Sequence, residues 1–552
     1  MITDILIIGG GGAAARCAIE CNKSVIVAVK GLFGKSGCTV MAEGGYNAVV
    51  NPNDDFEIHF NDTMKGGAYI NNPKLVEILI KNSPKELENL EKFGSLFDRN
   101  EDGTIAQRPF GGQSFNRTCY SGDSTGHEIM AGLMEYVGKK DNIKIMEDTT
   151  AIKLIVKNNV CYGALFINNI TGEIFPIYAK STVLATGGAG QLYPITSNPI
   201  QKVGDGFALA YNEGAILKDM EMVQFHPTGM VGTGILVTEA VRGEGGILYN
   251  KDKERFMKNY DPQRMELSTR DVVAKAIFNE VQEGRGINGG VYLDVSHLNP
   301  KLIEEKLETM FRQFMDIGVD IRKEPMIIAP TAHHTMGGIR INEKCETNIG
   351  GLYACGEVAG GIHGANRLGG NALADTQVFG AIAGKNACDY AENSPINHKL
   401  NNINEYTEEL INNIKQEIDN LKNKDNGANK NSKDNNTNDV ETVYNLIDTL
   451  KNIMWNYVSI VRTEEGLNKA LNEINDLKNK IDNVKLNGII DILRYFDLKN
   501  MIVVSELIIK SALKREESRG AHYRKDFPET IDRFKGNFVA QNNKITFIPL
   551  KE

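Results

Sequence analysis

Ile5-Leu6-Ile7-Ile8-Gly9-Gly10-Gly11-Gly12-Ala13-Ala14-Ala15-Arg16-Cys17-Ala18-Ile19-Glu20 decides how this chain begins to fold. The apolar run reads as a buried strand, the glycines as a tight turn and the alanine-rich run as a helix. A second apolar run, Val25 to Val29, completes a βαβ unit. Within it Gly9, Gly11 and Ala14 fit G-x-G-x-x-A. The first glycine permits the turn, the second lets backbone approach a pyrophosphate, and the small third residue lets helix meet strand. The helix N-terminus then faces the anion. The alternative is a glycine turn that only packs helix on strand. One part of the pattern is missing: the acidic residue expected about 20 positions later, which binds a ribose hydroxyl, is replaced by Val29-Lys30. Adenosine recognition is therefore expected to draw on backbone near Thr150-Ala151 and on Asp205 of Gly204-Asp205-Gly206.

Further along, Ser181-Thr182-Val183-Leu184-Ala185-Thr186-Gly187-Gly188 is another strand running into a glycine turn, and Leu352-Tyr353-Ala354-Cys355-Gly356-Glu357 repeats the pattern. The nucleotide domain is thus expected to be discontinuous, built from 1–222 and 342–390, with a capping domain inserted at 223–341. From 391 to 511 the texture turns helical, and 512–552 forms a C-terminal segment. Within the helical part, 423–438 (NKDNGANKNSKDNNTN) is low-complexity and nearly devoid of apolar residues, the composition of a solvated loop.

The totals exclude several function classes. Across 552 residues, 62 basic against 71 acidic side chains give a net charge of −9, with no basic field for nucleic acid. Anionic ligands must be met by local arginines. The eight cysteines form no C-x-x-C pair, which argues against an iron–sulfur cluster, a structural zinc, a c-type haem or a disulfide framework carried by this chain. Met1-Ile2-Thr3-Asp4 leads straight into a strand, and no run of 18 apolar residues occurs, so no direct membrane insertion and a cytoplasmic location are expected.

Ala42-Glu43-Gly44-Gly45, Arg108-Pro109-Phe110-Gly111-Gly112-Gln113, Thr125-Gly126-His127 and Ala185-Thr186-Gly187-Gly188 follow the glycine fingerprint in order. Then come Phe225-His226-Pro227-Thr228-Gly229, Thr238 to Gly246 (TEAVRGEGG), Thr269-Arg270-Asp271 and His333-His334-Thr335-Met336-Gly337-Gly338. His363 to Leu373 (HGANRLGGNAL) and Arg515 to His522 (REESRGAH) complete the series. In this order the segments resemble the flavoprotein subunit of the succinate dehydrogenase and fumarate reductase family over nearly the whole chain. The resemblance implies an α/β fold: a Rossmann-like FAD-binding domain with an inserted capping domain, followed by a C-terminal helical domain. It implies FAD as cofactor and fumarate and succinate as the substrate pair. No metal is expected on this chain.

The resemblance also assigns roles. FAD would be held by Gly9, Gly11, Ala14, Ser36, Cys38, Thr39, Gly44, Gly45, Ala151, Asp205, Glu357, Asn371 and Leu373, with Glu357 and Asn371 offering side-chain hydrogen bonds. Where membrane-bound members carry a flavin-linked histidine, this chain has Cys38 within Ser36-Gly37-Cys38-Thr39. Non-covalent FAD is expected, with a cysteinyl link as the alternative. Phe110, His226, Thr238, Glu239, His333 and Arg367 match the substrate-binding positions. Hydride would pass from flavin N5 to one alkene carbon and a proton from Arg270 to the other. A guanidinium holds its proton above about pH 12, so a neighbouring cation and a carboxylate relay are needed. Glu239 and Arg242, three apart, are the expected relay. Electrons must come from elsewhere, and an iron–sulfur protein subunit, in a heterodimer resembling the thiol-driven (coenzyme M/coenzyme B) fumarate reductases, is the expected source. L-aspartate oxidase, a quinone-linked succinate dehydrogenase flavoprotein and a flavin relay subunit without turnover remain the alternatives.

Overall fold

The structure, a computed structural model, describes residues 1–394, 400–423 and 442–550. The low-complexity stretch 423–438 lies, from residue 424 onward, outside the described residues. The opening run folds as expected: strand Ile2–Ile8 leads into helix Gly12–Glu20, and strand Val25–Ala28 pairs parallel to the first. Gly9 sits at φ +133, and a Cβ there would come within 2.1 Å of the Ala185 carbonyl oxygen, so only glycine fits this turn.

These strands belong to a seven-stranded sheet. Its order is Ile143–Met146, Val25–Ala28, Ile2–Ile8, Ile174–Leu184, Val160–Asn168 and Thr149–Lys157. The long strand Ile174–Leu184 joins distant parts of the chain. Its first half pairs antiparallel with Val160–Asn168, and its second half pairs parallel with Leu352–Ala354. Helix Gly12–Glu20 packs against helix Asn371–Asn393 through small residues: a Cβ on Gly384 would meet the Cys17 carbonyl oxygen at 2.4 Å and one on Gly380 would meet that of Ala13 at 2.8 Å.

A second body stands on this base. Strands Val223–Met230, Met326–Thr335, Val291–Asp294 and Ile247–Tyr249 form an antiparallel four-stranded sheet with its own core of Met230, Val241, Phe256, Ile277, Leu293 and Ile328. Long helices follow, Leu400–Lys422, Val443–Val458, Glu464–Ile481 and Ile489–Lys514. The last of these lies on helix Asp205–Asn212, with Val504 against Gly204.

The chain ends in a hairpin that the sequence reading did not resolve. Strand Gly536–Gln541 pairs with Lys544–Pro549 and with Leu217–Lys218, building a five-stranded sheet. Arg515, fully buried, anchors this end: Nε donates to Glu221 at 2.7 Å and Nη1 to Glu517 at 2.9 Å. Among the described residues no helix is long and apolar enough to cross a membrane.

Candidate functional site

Two cavities meet at the C-terminal ends of the parallel strands, where open α/β sheets bind their ligands. The smaller, about 120 Å³, is lined by Gly9, Gly11, Ser36, Ala151 and Asp205, and the larger, about 440 Å³, by Gly44, Gly45 and Leu373. Cys38, Thr39 and Glu357 line both, so the two are continuous.

Gly11 shows what the smaller cavity is for. A Cβ built on it would meet only Thr39 Oγ1 at 3.5 Å, so no protein atom requires glycine there. The open space beside it leaves room for a ligand to approach the backbone. Ala14, by contrast, is buried in the core and serves the helix–strand packing. The missing ribose acid has a physical counterpart. Lys30 is paired with Asp205 at 3.0 Å and with Asp497 at 2.5 Å, so the Asp205 carboxylate lines the cavity already engaged by a cation.

At the junction, Lys202 is the feature that sequence reasoning missed. It is buried, donates to Glu357 Oε2 and, at 3.2 Å, to Cys38 Sγ. Glu357 Oε1 accepts from the Thr335 amide at 3.0 Å. The carboxylate expected to serve the cofactor is therefore oriented by Lys202 and by the second sheet. Burial pushes the Cys38 thiol up, and the Glu357 charge adds to this against Lys202.

Asn371 does not stand as expected. Its Oδ1 accepts from Asn47 at 2.7 Å and lies 3.0 Å from His59 Nε2, while its Nδ2 donates to Thr63 at 3.0 Å. The whole amide is spent beneath the site, and Gly370, Ala372 and Leu373 line the cavity instead.

The far side of the larger cavity gathers Phe110, His226, Thr238, Glu239, Arg270, His333 and Arg367. Arg270 begins helix Arg270–Gln282, and its Nε and Nη2 reach Glu239 Oε2 at 2.9 and 2.8 Å. Its guanidinium also lies 5.6 Å from the centre of the Phe110 ring. Arg367 is buried, with Nη2 donating to Gln224 Oε1 at 2.9 Å and Nε lacking a hydrogen-bond partner among the described residues. Burial, then the Arg270 charge, push Arg367 down to about 9. His226 and His333 face each other with ring centres 5.6 Å apart. Burial holds both well below the ordinary histidine range, reinforced by nearby arginines, so both rings are neutral. Burial raises Glu239, but Arg270 and Arg242 more than reverse this and keep it ionised.

Arg242 corrects the expected relay. It makes no hydrogen bond to Glu239; Nη1 donates to the Glu266 carbonyl at 2.6 Å, and Nε and Nη2 are buried without partners among the described residues. The short helix Glu239–Gly243 turns Glu239 into the cavity and leaves Arg242 behind it. Glu239 therefore bonds Arg270 directly. His334, Ser197 and Gln224 were not singled out in the sequence. His334 lies next to His333, and Gln224 directly precedes Phe225-His226, so proximity to a motif is the signal that could have found them.

Two continuous cavities, one with a glycine turn at a helix N-terminus and one lined by Arg270 and Arg367, suit a nucleotide cofactor. The comparisons agree. Residues 4–373 match the FAD binding domain family and residues 447–547 the fumarate reductase flavoprotein C-terminal family. An uncharacterized FAD-dependent oxidoreductase of Methanocaldococcus jannaschii is 70% identical, covering 99% of this chain and 98% of its own. One subunit of the fumarate reductase (CoM/CoB) of Methanothermobacter marburgensis is 51% identical, over 97% of this chain and 96% of its own. A solved chain of E. coli quinol fumarate reductase superposes with a TM-score of 0.90 at 32% identity, covering 100% of this chain and 97% of that one. The protein thus belongs to the FAD-dependent flavoprotein family of fumarate reductases and succinate dehydrogenases.

Proposed function

We propose that this chain is the catalytic flavoprotein subunit of a fumarate reductase, adding two electrons and two protons to fumarate to give succinate. The observation that carries the reading is the position of the Glu239-bound Arg270 in one cavity with Arg367, His226 and His333. A planar dianion needs donors at both ends. Arg367, braced by Gln224, supplies a fixed cation. The neutral histidines supply directed hydrogen bonds. His333 Nδ1 lies 2.9 Å from Ser197 Oγ, and His226 Nδ1 lies 3.3 Å from the Thr228 amide nitrogen and 3.2 Å from its carbonyl oxygen. With Nδ1 of His333 accepting from Ser197, its Nε2–H is left to donate to a carboxylate, while His226, whose Nδ1 faces the Thr228 carbonyl, lines the same wall. Thr238 lines the same wall.

Gly9 to Gly12 would hold the pyrophosphate of FAD, and Gly44, Gly45 and Leu373 would border its ring; when bound, FAD would supply the hydride. The protein supplies the proton. Arg270 delivers it to the second alkene carbon, and Glu239, ionised and bonded to the same guanidinium, takes up a proton from solvent and passes it to Arg270. Arg242 stabilises the Glu239 charge from behind. Cys38 is a neutral thiol whose sulfur accepts from Lys202, a poor nucleophile, which supports non-covalent FAD.

The relative named as a CoM/CoB fumarate reductase subunit supports a thiol-driven system, in which electrons reach this chain from an iron–sulfur partner subunit. The test is oxidation of a reduced viologen dye by the purified, FAD-loaded protein. Rapid bleaching on adding fumarate is expected. Oxidation of L-aspartate by oxygen instead would replace this reading with an L-aspartate oxidase. A protein inert to both would be an electron relay.

A further inference from the structure

Glu43 lines the larger cavity with Gly44, Phe110 and Asp123, and its Oε2 is buried with no hydrogen-bond partner among the described residues. An unpaired carboxyl oxygen out of water is an unfavourable arrangement. Arg108 does not relieve it, because its donors go to main-chain oxygens: Nη2 to Glu43 at 2.9 Å, Nε to Gly44 at 3.1 Å and Nη1 to Gly122 at 3.0 Å. These bonds also fix the backbone. A Cβ on Gly44 would come within 3.1 Å of Phe110, and Gly45 sits at φ +133, so the main chain that carries Glu43 along this wall is closely fitted. Asp123 is held from the capping side, accepting from Thr309 Oγ1 on helix Glu308–Asp316. Burial, then the Asp123 charge, push Glu43 up to about 8 against the opposing pull of Arg108. Of the other charged groups in the chamber, Arg270 pairs with Glu239, Glu357 with Lys202, and Asp375 faces His363, while Arg367, pushed down to about 9, loses its charge above the range of Glu43 and does so equally in Glu43→Gln. At neutral pH Glu43 therefore carries a proton that it can donate.

We propose that Glu43 takes up and releases one proton in step with the redox state of the bound flavin, and so sets how the flavin's reduction potential depends on pH. This rests on the reading of the larger cavity as the site of the flavin ring. Below about pH 8 the carboxyl is already protonated and reduction leaves it unchanged. Above that, the carboxylate is ionised in the oxidised protein. The negative charge that two-electron reduction adds nearby raises its proton affinity, so COO⁻ gains one H⁺ from solvent per electron pair.

The test is the flavin midpoint potential of the FAD-loaded protein, measured with an electrode and mediator dyes from about pH 6.5 to about pH 9.5. The potential of the native protein is expected to fall more steeply above about pH 8, by one extra proton per two electrons. Glu43→Gln, which cannot ionise, should lack that break and lie above the native line at the alkaline end. Asp123→Asn, which removes the like charge, should move the break to lower pH, an effect that a purely structural role for Glu43 does not produce. Parallel lines for the native protein and Glu43→Gln, or a break unmoved by Asp123→Asn, would overturn the proposal. Fumarate turnover on the same samples reports separately on the proposed function: a break that persists without turnover would overturn fumarate reduction and keep the coupling.

Discussion

Arg270 donates from Nε to Glu239 Oε2 at 2.9 Å while its Nη2 lies 2.8 Å from the same oxygen, leaving Glu239 Oε1 uninvolved in the pair. Proton delivery through this pair makes the two residues unequal. Arg270→Ala removes the donor itself and is expected to lower kcat for fumarate by about 10²–10⁴. Glu239→Gln keeps the shape but cannot carry a proton, and a loss of about 10²-fold is expected, with a larger solvent isotope effect. Both variants should stay yellow, because neither side chain lines the smaller cavity. Stopped-flow viologen oxidation with flavin absorbance separates loss of chemistry from loss of FAD; Arg270→Ala turning over normally would remove it from the mechanism.

The pH profile follows from the arginines and not from the histidines. Burial and then arginine charges hold His226 well below the ordinary range, and burial with Arg367 first among the charges does the same for His333. Neither ring changes charge near pH 6.5, and kcat/KM is expected to show no step there. Arg367, pushed down to about 9, is a cation below that value and loses its charge as pH rises through it. Fumarate binding needs the cation, so kcat/KM should fall on the alkaline side of about pH 9. In the complex the dianion stabilises the charged guanidinium, so the fall in kcat should lie at higher pH. An acid limb near pH 6.5 that disappears in His333→Gln would show a titrating histidine and contradict this assignment.

Short-range order was the legible part of this sequence. The Ile5 to Glu20 run specified strand, turn and helix because hydrophobic period and glycine sterics act over a few residues, and most of the chamber side chains sit inside motifs that could be read in a row. What could not be read was set by long-range pairing. Lys202 and Glu357 are 155 positions apart, and Lys30, standing where an acid was expected, is answered by Asp205 and Asp497 from two other elements. Asn371 has the right composition for a cofactor contact, but which way its amide points depends on Asn47 and His59. The i,i+3 spacing of Glu239 and Arg242 suggested a shared face, yet the helix that carries them is five residues long and Arg242 turns to the Glu266 carbonyl. The closing hairpin carries a short strand signal in Ile545-Thr546-Phe547-Ile548, but its place in the fold depends on pairing with Leu217–Lys218, more than 300 positions away.

Cys38 and Lys202 give a direct test of how the flavin is held. A neutral thiol that accepts from a lysine should form no bond to the cofactor. Acid precipitation is therefore expected to release all the FAD into the supernatant, and Cys38→Ser should keep its colour. Lys202→Met leaves the buried Glu357 carboxylate without its counter-charge. FAD retention is expected to weaken by about tenfold or more, equivalent to about 1.4 kcal/mol, measured by fluorescence after gel filtration. Flavin that remains with the precipitated protein would instead establish a covalent link at this position.

Arg515 holds the chain's end to the FAD-binding core, and its removal separates folding from chemistry. It is fully buried, as are Glu221 and Glu517, and it also reaches Asp219 at 3.4 Å and the Gly536 carbonyl at 3.1 Å. Arg515→Met keeps much of the volume but strands the Glu221 carboxylate in a low-dielectric interior, while Glu517 stays paired with Arg519. Breaking a buried pair from one side costs about 3–5 kcal/mol. The expected outcome is a markedly lower thermal midpoint and early release of the hairpin Gly536–Pro549, seen as faster amide exchange in its strands. The cavity residues are untouched by this change, so kcat at low temperature should stay within about twofold of the native value. Replacing Glu221 by glutamine in the Arg515→Met background should recover part of the loss, because the stranded charge is then gone. A midpoint unchanged in Arg515→Met would mean that the apolar contacts of the hairpin, and not this ion network, carry the attachment.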